Sequence, residues 1–158
     1  MYFGTPYPLN IHHAEIDTPQ VELKWNIFLA KTPIANDQQL IANGLRQAFT
    51  RWYTKTGTEA ISYRAEYFAH LIGVTFNKLR LKEVKTLWGS CSPKNNLTFN
   101  WKLVMAPAEV IDYVVVHELC HLRERNHSKR FWTLVKEFAP DYKVHRKWLK
   151  ENEWQLSI

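Results

Sequence analysis

The chain has 158 residues, with 21 Lys and Arg against 15 Asp and Glu, a formal net charge of +6. This length suits a single domain over 1–158, and 46% hydrophobic with 23% charged residues suits a folded interior rather than a disordered chain. No apolar run approaches the roughly 20 residues of a membrane span, the first residues lack the basic-then-apolar order of a secretory leader, and two cysteines give no disulfide framework, so a cytoplasmic protein without membrane contact is expected.

Leu9 and Ile11 alternate with polar neighbours and predict a strand within residues 2–13. His12 and His13 would face opposite sides of that strand, as surface residues. Pro19 precedes Val21, Leu23, Trp25, Ile27 and Leu29, a period of two that predicts one long strand. The two strands could pair as a hairpin across residues 14–19. The period then changes. Leu40, Ile41, Leu45, Ala48, Phe49 and Trp52 predict a helix capped by Asn36 or Asp37. Gly57-Thr58 is expected to break it, with Thr58 capping a second helix through Ile61, Ala65 and Ile72 that stops at Gly73. His70 stands alone on that helix and reads as a packed or surface residue. Strands and helices thus occupy 1–73.

Residues 74–87 alternate through Val74, Phe76, Leu79 and Leu81 and predict one or two further strands. Trp88-Gly89-Ser90-Cys91-Ser92, the turn Pro93 to Asn96, and then Leu97, Phe99 and Trp101 predict a hairpin. It lies just before the stretch that carries the chemistry, where an edge strand could take up a substrate backbone by strand addition. Met105-Ala106-Pro107 then opens a helix with proline in its first turn, packed into the core by Val110, Ile111, Val114, Val115 and Leu119. Strands and helices together predict an α+β fold with a small antiparallel or mixed sheet.

That helix reads Val116-His117-Glu118-Leu119-Cys120-His121, a His-Glu-x-x-His pentad. Residues four apart on an α-helix differ by about 40° around the axis and about 6 Å along it, so His117 and His121 can aim at one point. Two ligands of a tetrahedral zinc ion are supplied this way. Glu118 lies about 100° round from His117, too far to be the obvious third ligand but close enough to act as base on a water at the metal. His127 follows six residues after His121. It can join the ligands only if the helix ends and the chain folds back, because a continuing helix would rotate it about 120° away. Glu124 stands where a glycine would ease that turn, which leaves Asn126 as the candidate left-handed residue. Ser128 can cap a following helix through Phe131, Trp132 and Val135, limited by Pro140. Tyr142, His145, Arg146 and Trp148 then mark a last helix. Cys91 as a thiolate ligand would imply a closed structural zinc; Cys120 reads as a small buried side chain, and Asp112 as a helix-surface residue.

Trp88-Gly89-Ser90-Cys91-Ser92, Leu97 to Leu103, the pentad, and Asn126-His127-Ser128 with Phe131-Trp132, taken in this order, resemble the YgjP-like metallopeptidase family. That family is related to the SprT-like and Wss-type zinc proteases. The resemblance runs from about Tyr7 to about Trp148 and is densest over Trp88 to Trp132. It implies a zincin-like fold, Zn2+ on His117, His121 and His127, and Glu118 as catalytic base. Some members are described as nucleotide (UTP) pyrophosphatases, so the family does not by itself choose between a polypeptide and a nucleotide substrate.

Charge bears on partners. Residues 1–79 carry seven basic against six acidic side chains, and residues 80–158 carry fourteen against nine. The basic C-terminal half admits nucleic acid or nucleotide phosphates as partners; the plainer alternative is the solvated surface of two helices, because its charges are interleaved with Glu. The expected function is peptide hydrolysis at a zinc centre. A metal-dependent nucleotide pyrophosphatase is the first alternative, although no glycine-rich phosphate loop occurs. A zinc-containing nucleic-acid-binding module is the second.

Overall fold

A 35-residue helix, α1 (Gln38–Ile72), runs past both sheets of the fold. The computed structural model describes residues 1–34, 37–84 and 86–158. Before α1 in the chain come β1 (Leu9–Ala14), β2 (Gln20–Lys24) and β3 (Ile27–Pro33). After it come β4 (Lys78–Lys82), β5 (Gly89–Cys91) and β6 (Asn96–Asn100), then a 3-10 turn over Trp101–Met105. Three helices close the chain: α2 (Ala108–Cys120), α3 (Lys129–Phe138) and α4 (Tyr142–Asn152). The fold is α+β, as expected.

Three expectations need correction. The predicted long strand over Val21–Leu29 is a hairpin. Trp25 and Asn26 both take left-handed backbone, φ 50° and 62°, the two-residue turn whose twist matches its flanking strands. Alternation continues across the turn because a two-residue loop preserves the period, so hydropathy alone does not reveal it. The first strand does not pair with the second either: β1 lies parallel to β3, β2 antiparallel to β3, and the order is β1-β3-β2. Third, Gly57-Thr58 does not break α1. Gly57 is buried where the helix meets the 3-10 turn, and a Cβ on it would stand 2.6 Å from Val104 Cγ1. Its glycine serves close approach. Thr58 turns its hydroxyl back to the Thr54 carbonyl at 2.6 Å rather than capping anything. Asp37 caps α1, accepting from the Leu40 amide at 3.0 Å, whereas Asn36 lies outside the described residues. Gly73 ends the helix at φ 71°, as expected.

The second sheet has the order β4-β6-β5, with β4 parallel and β5 antiparallel to β6. Leu81, Leu97 and Phe99 face inward and are buried, while Lys78, Arg80 and Lys82 face outward. Trp101 leaves the strand and starts the 3-10 turn. Asn100 holds that exit, donating to the Val84 carbonyl at 2.8 Å and capping the Lys102 amide at 3.1 Å. Behind this sheet α2 is almost wholly buried: Ile111, Val115, Val116, Leu119 and Cys120 have no exposed surface. Burial of one such aliphatic side chain contributes about 1.5–3 kcal/mol, so α2 is anchored before its polar residues are placed. Asp112, expected at the surface, pairs with Arg64 of α1 and ties the two helices together.

Candidate metal centre

α2 stops at the second histidine of the pentad. Amides of Leu122, Arg123 and Glu124 bond back to carbonyls of Leu119 and Cys120 at 3.0–3.1 Å, closing a tight turn with His121 as its first residue. The reversal that His127 needs therefore exists, but its chemistry differs from expectation. Asn126 is not left-handed; its carbonyl accepts from the Ser128 amide at 2.7 Å. Ser128 then caps α3 through the Phe131 amide at 3.3 Å, as its sequence position predicts.

This joint brings His117, His121 and His127 together, one ring nitrogen of each lying within 4.8 Å of the others. Nε2 of His117 and Nε2 of His127 are 3.1 Å apart. Nitrogens bound at 2.0–2.1 Å to one tetrahedral ion would be separated by about 3.3 Å. The donor set therefore fits a divalent cation. His121 approaches the Glu124 carbonyl through Nδ1 at 3.1 Å, an arrangement that leaves Nε2 as the lone-pair nitrogen when Nδ1 carries the proton. Burial, followed by the neighbouring charges of His121, His127 and Arg146, pushes the His117 pKa down to about 3. Burial also lowers that of His121. Neutral imidazole is the form that ligates.

Aromatic packing orients the rings. Phe131 of α3 stacks on His121 at 4.5 Å and meets His117 edge-on at 4.9 Å. His127 stacks on Trp132 at 5.7 Å, and Trp132 in turn stacks on Tyr142 of α4 at 5.1 Å. His127 is the exposed member of the three, and this ladder positions it in place of burial. Nδ1 of His117 has no hydrogen-bond partner among the described residues.

Glu118 is 5% exposed, and burial raises its carboxyl pKa to about 8. It lies against β5: a Cβ on Gly89 would stand 2.7 Å from Glu118 Cγ and 2.8 Å from Oε1. Gly89 is a site residue that the sequence reading passed over. Its signal was present, since a glycine inside a strand marks close approach of another group. Leu87 to Cys91, Tyr113 and Arg146 line one cleft with the three histidines and Glu118, a volume of about 580 Å³. β5 forms one wall of it and is an edge strand of its sheet. Cys91 lines the cleft but lies outside the histidine cluster; Arg125 donates toward its sulfur at 3.5 Å. His12, His13 and His70 do not join the site; His13 bonds Thr32 at 2.9 Å. The basic residues of the C-terminal half divide among different tasks. Arg125 and Arg146 border the cleft, Arg123 reaches the Gly73 carbonyl, and Lys147 pairs with Glu151.

Residues 1–152 match the YgjP-like metallopeptidase domain family. Similar solved structures include two metallopeptidase zymogens. The metallopeptidase zymogen abylysin of Pyrococcus abyssi is 22% identical with a TM-score of 0.49, over 57% of this chain and 93% of that one. The metallopeptidase zymogen jannalysin of Methanocaldococcus jannaschii is 19% identical with a TM-score of 0.46, over 53% and 90%. No curated protein matches the chain.

Proposed function

The chain belongs to the YgjP-like metallopeptidase family, and from that premise we propose that it is a zinc-dependent peptidase: His117, His121 and His127 hold the ion and Glu118 is the general base. One observation carries this reading, the convergence of three imidazole nitrogens within 4.8 Å beside a buried carboxyl group on the adjoining residue. A zinc ion in that position supplies Lewis acidity, polarising a carbonyl oxygen and making water a stronger acid. Glu118 accepts the proton of the attacking water and delivers it to the departing amine nitrogen. Burial alone favours the neutral carboxyl group, and the charge of a bound zinc ion would favour the carboxylate form that a base needs. We assign the hydrogen bond to the substrate carbonyl oxygen to Arg146, which lines the cleft. The other candidates on position and chemistry, Asn100, Tyr142 and His145, do not line the cleft. An extended peptide pairs with the open edge of β5 and lies along the cleft wall.

The test joins metal analysis to cleavage of an unstructured protein. Glu118→Gln is expected to keep its zinc and lose activity by about 100-fold or more. His127→Ala is expected to lose the metal as well. Full activity in Glu118→Gln would remove the base from the scheme. Arg125, Arg146 and Lys150 give the cleft a cationic lining that suits phosphates, so UTP belongs in the same panel. Pyrophosphate release without peptide cleavage would transfer the site to nucleotide hydrolysis.

A further inference from the structure

The outward face of the second sheet is a separate, cationic surface. Lys78, Arg80 and Lys82 alternate along β4 with the inward Leu79 and Leu81, and all three are exposed. Strand geometry spaces their Cα atoms by about 6.6 Å. Across the sheet Lys78 is registered with Asn96, and Arg80 with Thr98, which is registered in turn with Ser90 of β5. The three cations and these polar side chains line one groove of about 420 Å³, with no acidic residue in its lining. None of the three makes an ion pair with a described residue; Glu83, next along the chain, pairs with Lys102 at 3.1 Å.

The turn after β5 borders this groove through Ser92. Asn77 bonds the turn after β5, its amide to the Asn95 carbonyl at 2.8 Å and its side chain to the Lys94 carbonyl. Arg125 reaches the same turn, donating to the Ser92 carbonyl at 3.0 Å and to Asn95 Oδ1. Charge on an edge strand often only discourages pairing with another chain. Any charge, of either sign, achieves that. A row of three like charges, bordered by hydroxyl and amide donors and lacking a counter-charge, instead has the composition that contacts phosphodiester oxygens.

We propose that the outward face of β4-β6-β5 binds the phosphodiester backbone of nucleic acid through Lys78, Arg80 and Lys82, without reading its sequence. The groove lining contains no aromatic ring on which a base could stack and no helix to enter a duplex groove, so contact is with the backbone alone. Its row is straight, which suits a linear polyanion better than an isolated phosphate. This assignment does not depend on the peptidase reading, because the three cations lie outside the metal cleft.

Fluorescence anisotropy of the full chain tests it, with a labelled oligothymidine and a labelled mixed-sequence duplex as probes. Binding is expected in the micromolar range at about 50 mM salt and should weaken roughly 20–40-fold by about 200 mM. Changing Lys78, Arg80 and Lys82 together to Ala should weaken binding at least ~10-fold and reduce the log–log salt slope by about 2. A control carrying Lys129→Ala, Arg130→Ala and Lys136→Ala loses the same net charge from α3 and should bind within about twofold of the parent. Unaltered melting temperatures show that both variants fold. Absence of binding by the parent overturns the proposal, as does an equal loss in the control. Displacement of the probes by polyglutamate at the charge concentration at which unlabelled oligothymidine acts would reassign the face to acidic polypeptides.

Discussion

Gly89 has no side chain, and Glu118 occupies the space where one would be. Gly89→Ala should therefore displace the carboxyl group without touching the three histidines. Metal content is expected to stay at the parent level while turnover falls about 10-fold or more, because small misplacements of a catalytic group are costly; equal loss of metal and activity would argue for general disruption instead. Tyr53 offers a second prediction. It is 1% exposed, donates to the Met1 carbonyl at 2.5 Å, and burial raises its pKa well above the ordinary 10. A raised folded pKa means that this contribution to stability is complete below pH 10 and is lost as pH climbs through the folded value. Tyr53→Phe should cost about 1 kcal/mol at pH 7, and the deficit should shrink or reverse at pH 11. A deficit independent of pH would show that Tyr53 does not titrate in this way. At this scale the pentad was legible, because residues four apart on a helix meet through local geometry. Gly89 was not, because its neighbour Glu118 arrives from a different element.

Elements were legible where their boundaries are local. Ser128, Asp37 and Gly73 sit at the helix ends that their chemistry predicts. The errors arose where a single residue type has two uses. Glycine at 57 reads equally as a helix breaker and as a point of contact, and only the packed 3-10 turn decides for contact. Gly57→Ala separates the effects. Alanine gains about 1 kcal/mol in helix propensity. Its methyl, however, would press on Val104 Cγ1 at 2.6 Å and Leu81 Cδ2 at 3.0 Å. Overpacking of that kind costs about 1–3 kcal/mol, and Val104 is too short to swing aside. A net loss of about 1 kcal/mol follows, read as a fall of roughly 2–4 °C in Tm; a rise would mean that the contact yields. Strand pairing was the least legible part. Parallel pairing of β1 with β3 depends on where the intervening hairpin lies, and nothing in the period of β1 encodes that.

Across the whole molecule, the histidine cluster links the end of α2 to the joint before α3, and the aromatic ladder carries the link to α4. A bound cation should therefore stabilise all three helices. At a free-metal concentration about 1,000 times Kd, binding adds about 4 kcal/mol, equivalent to roughly 10 °C in Tm for a domain of this size. Scanning calorimetry before and after chelation checks this, and readdition of zinc should restore the loss. An unchanged Tm would mean that no ion contributes to the fold. The family match over 1–152 agrees with the resemblance carried by Trp88 to Trp132.

The brevity of β5 has a consequence of its own. An edge of three residues is only about 10 Å long, so a guest chain can share few backbone bonds with it. Such a rail cannot read many letters of its passenger. If a peptide pairs there as proposed, discrimination would fall instead on whether it is slack enough to lie flat.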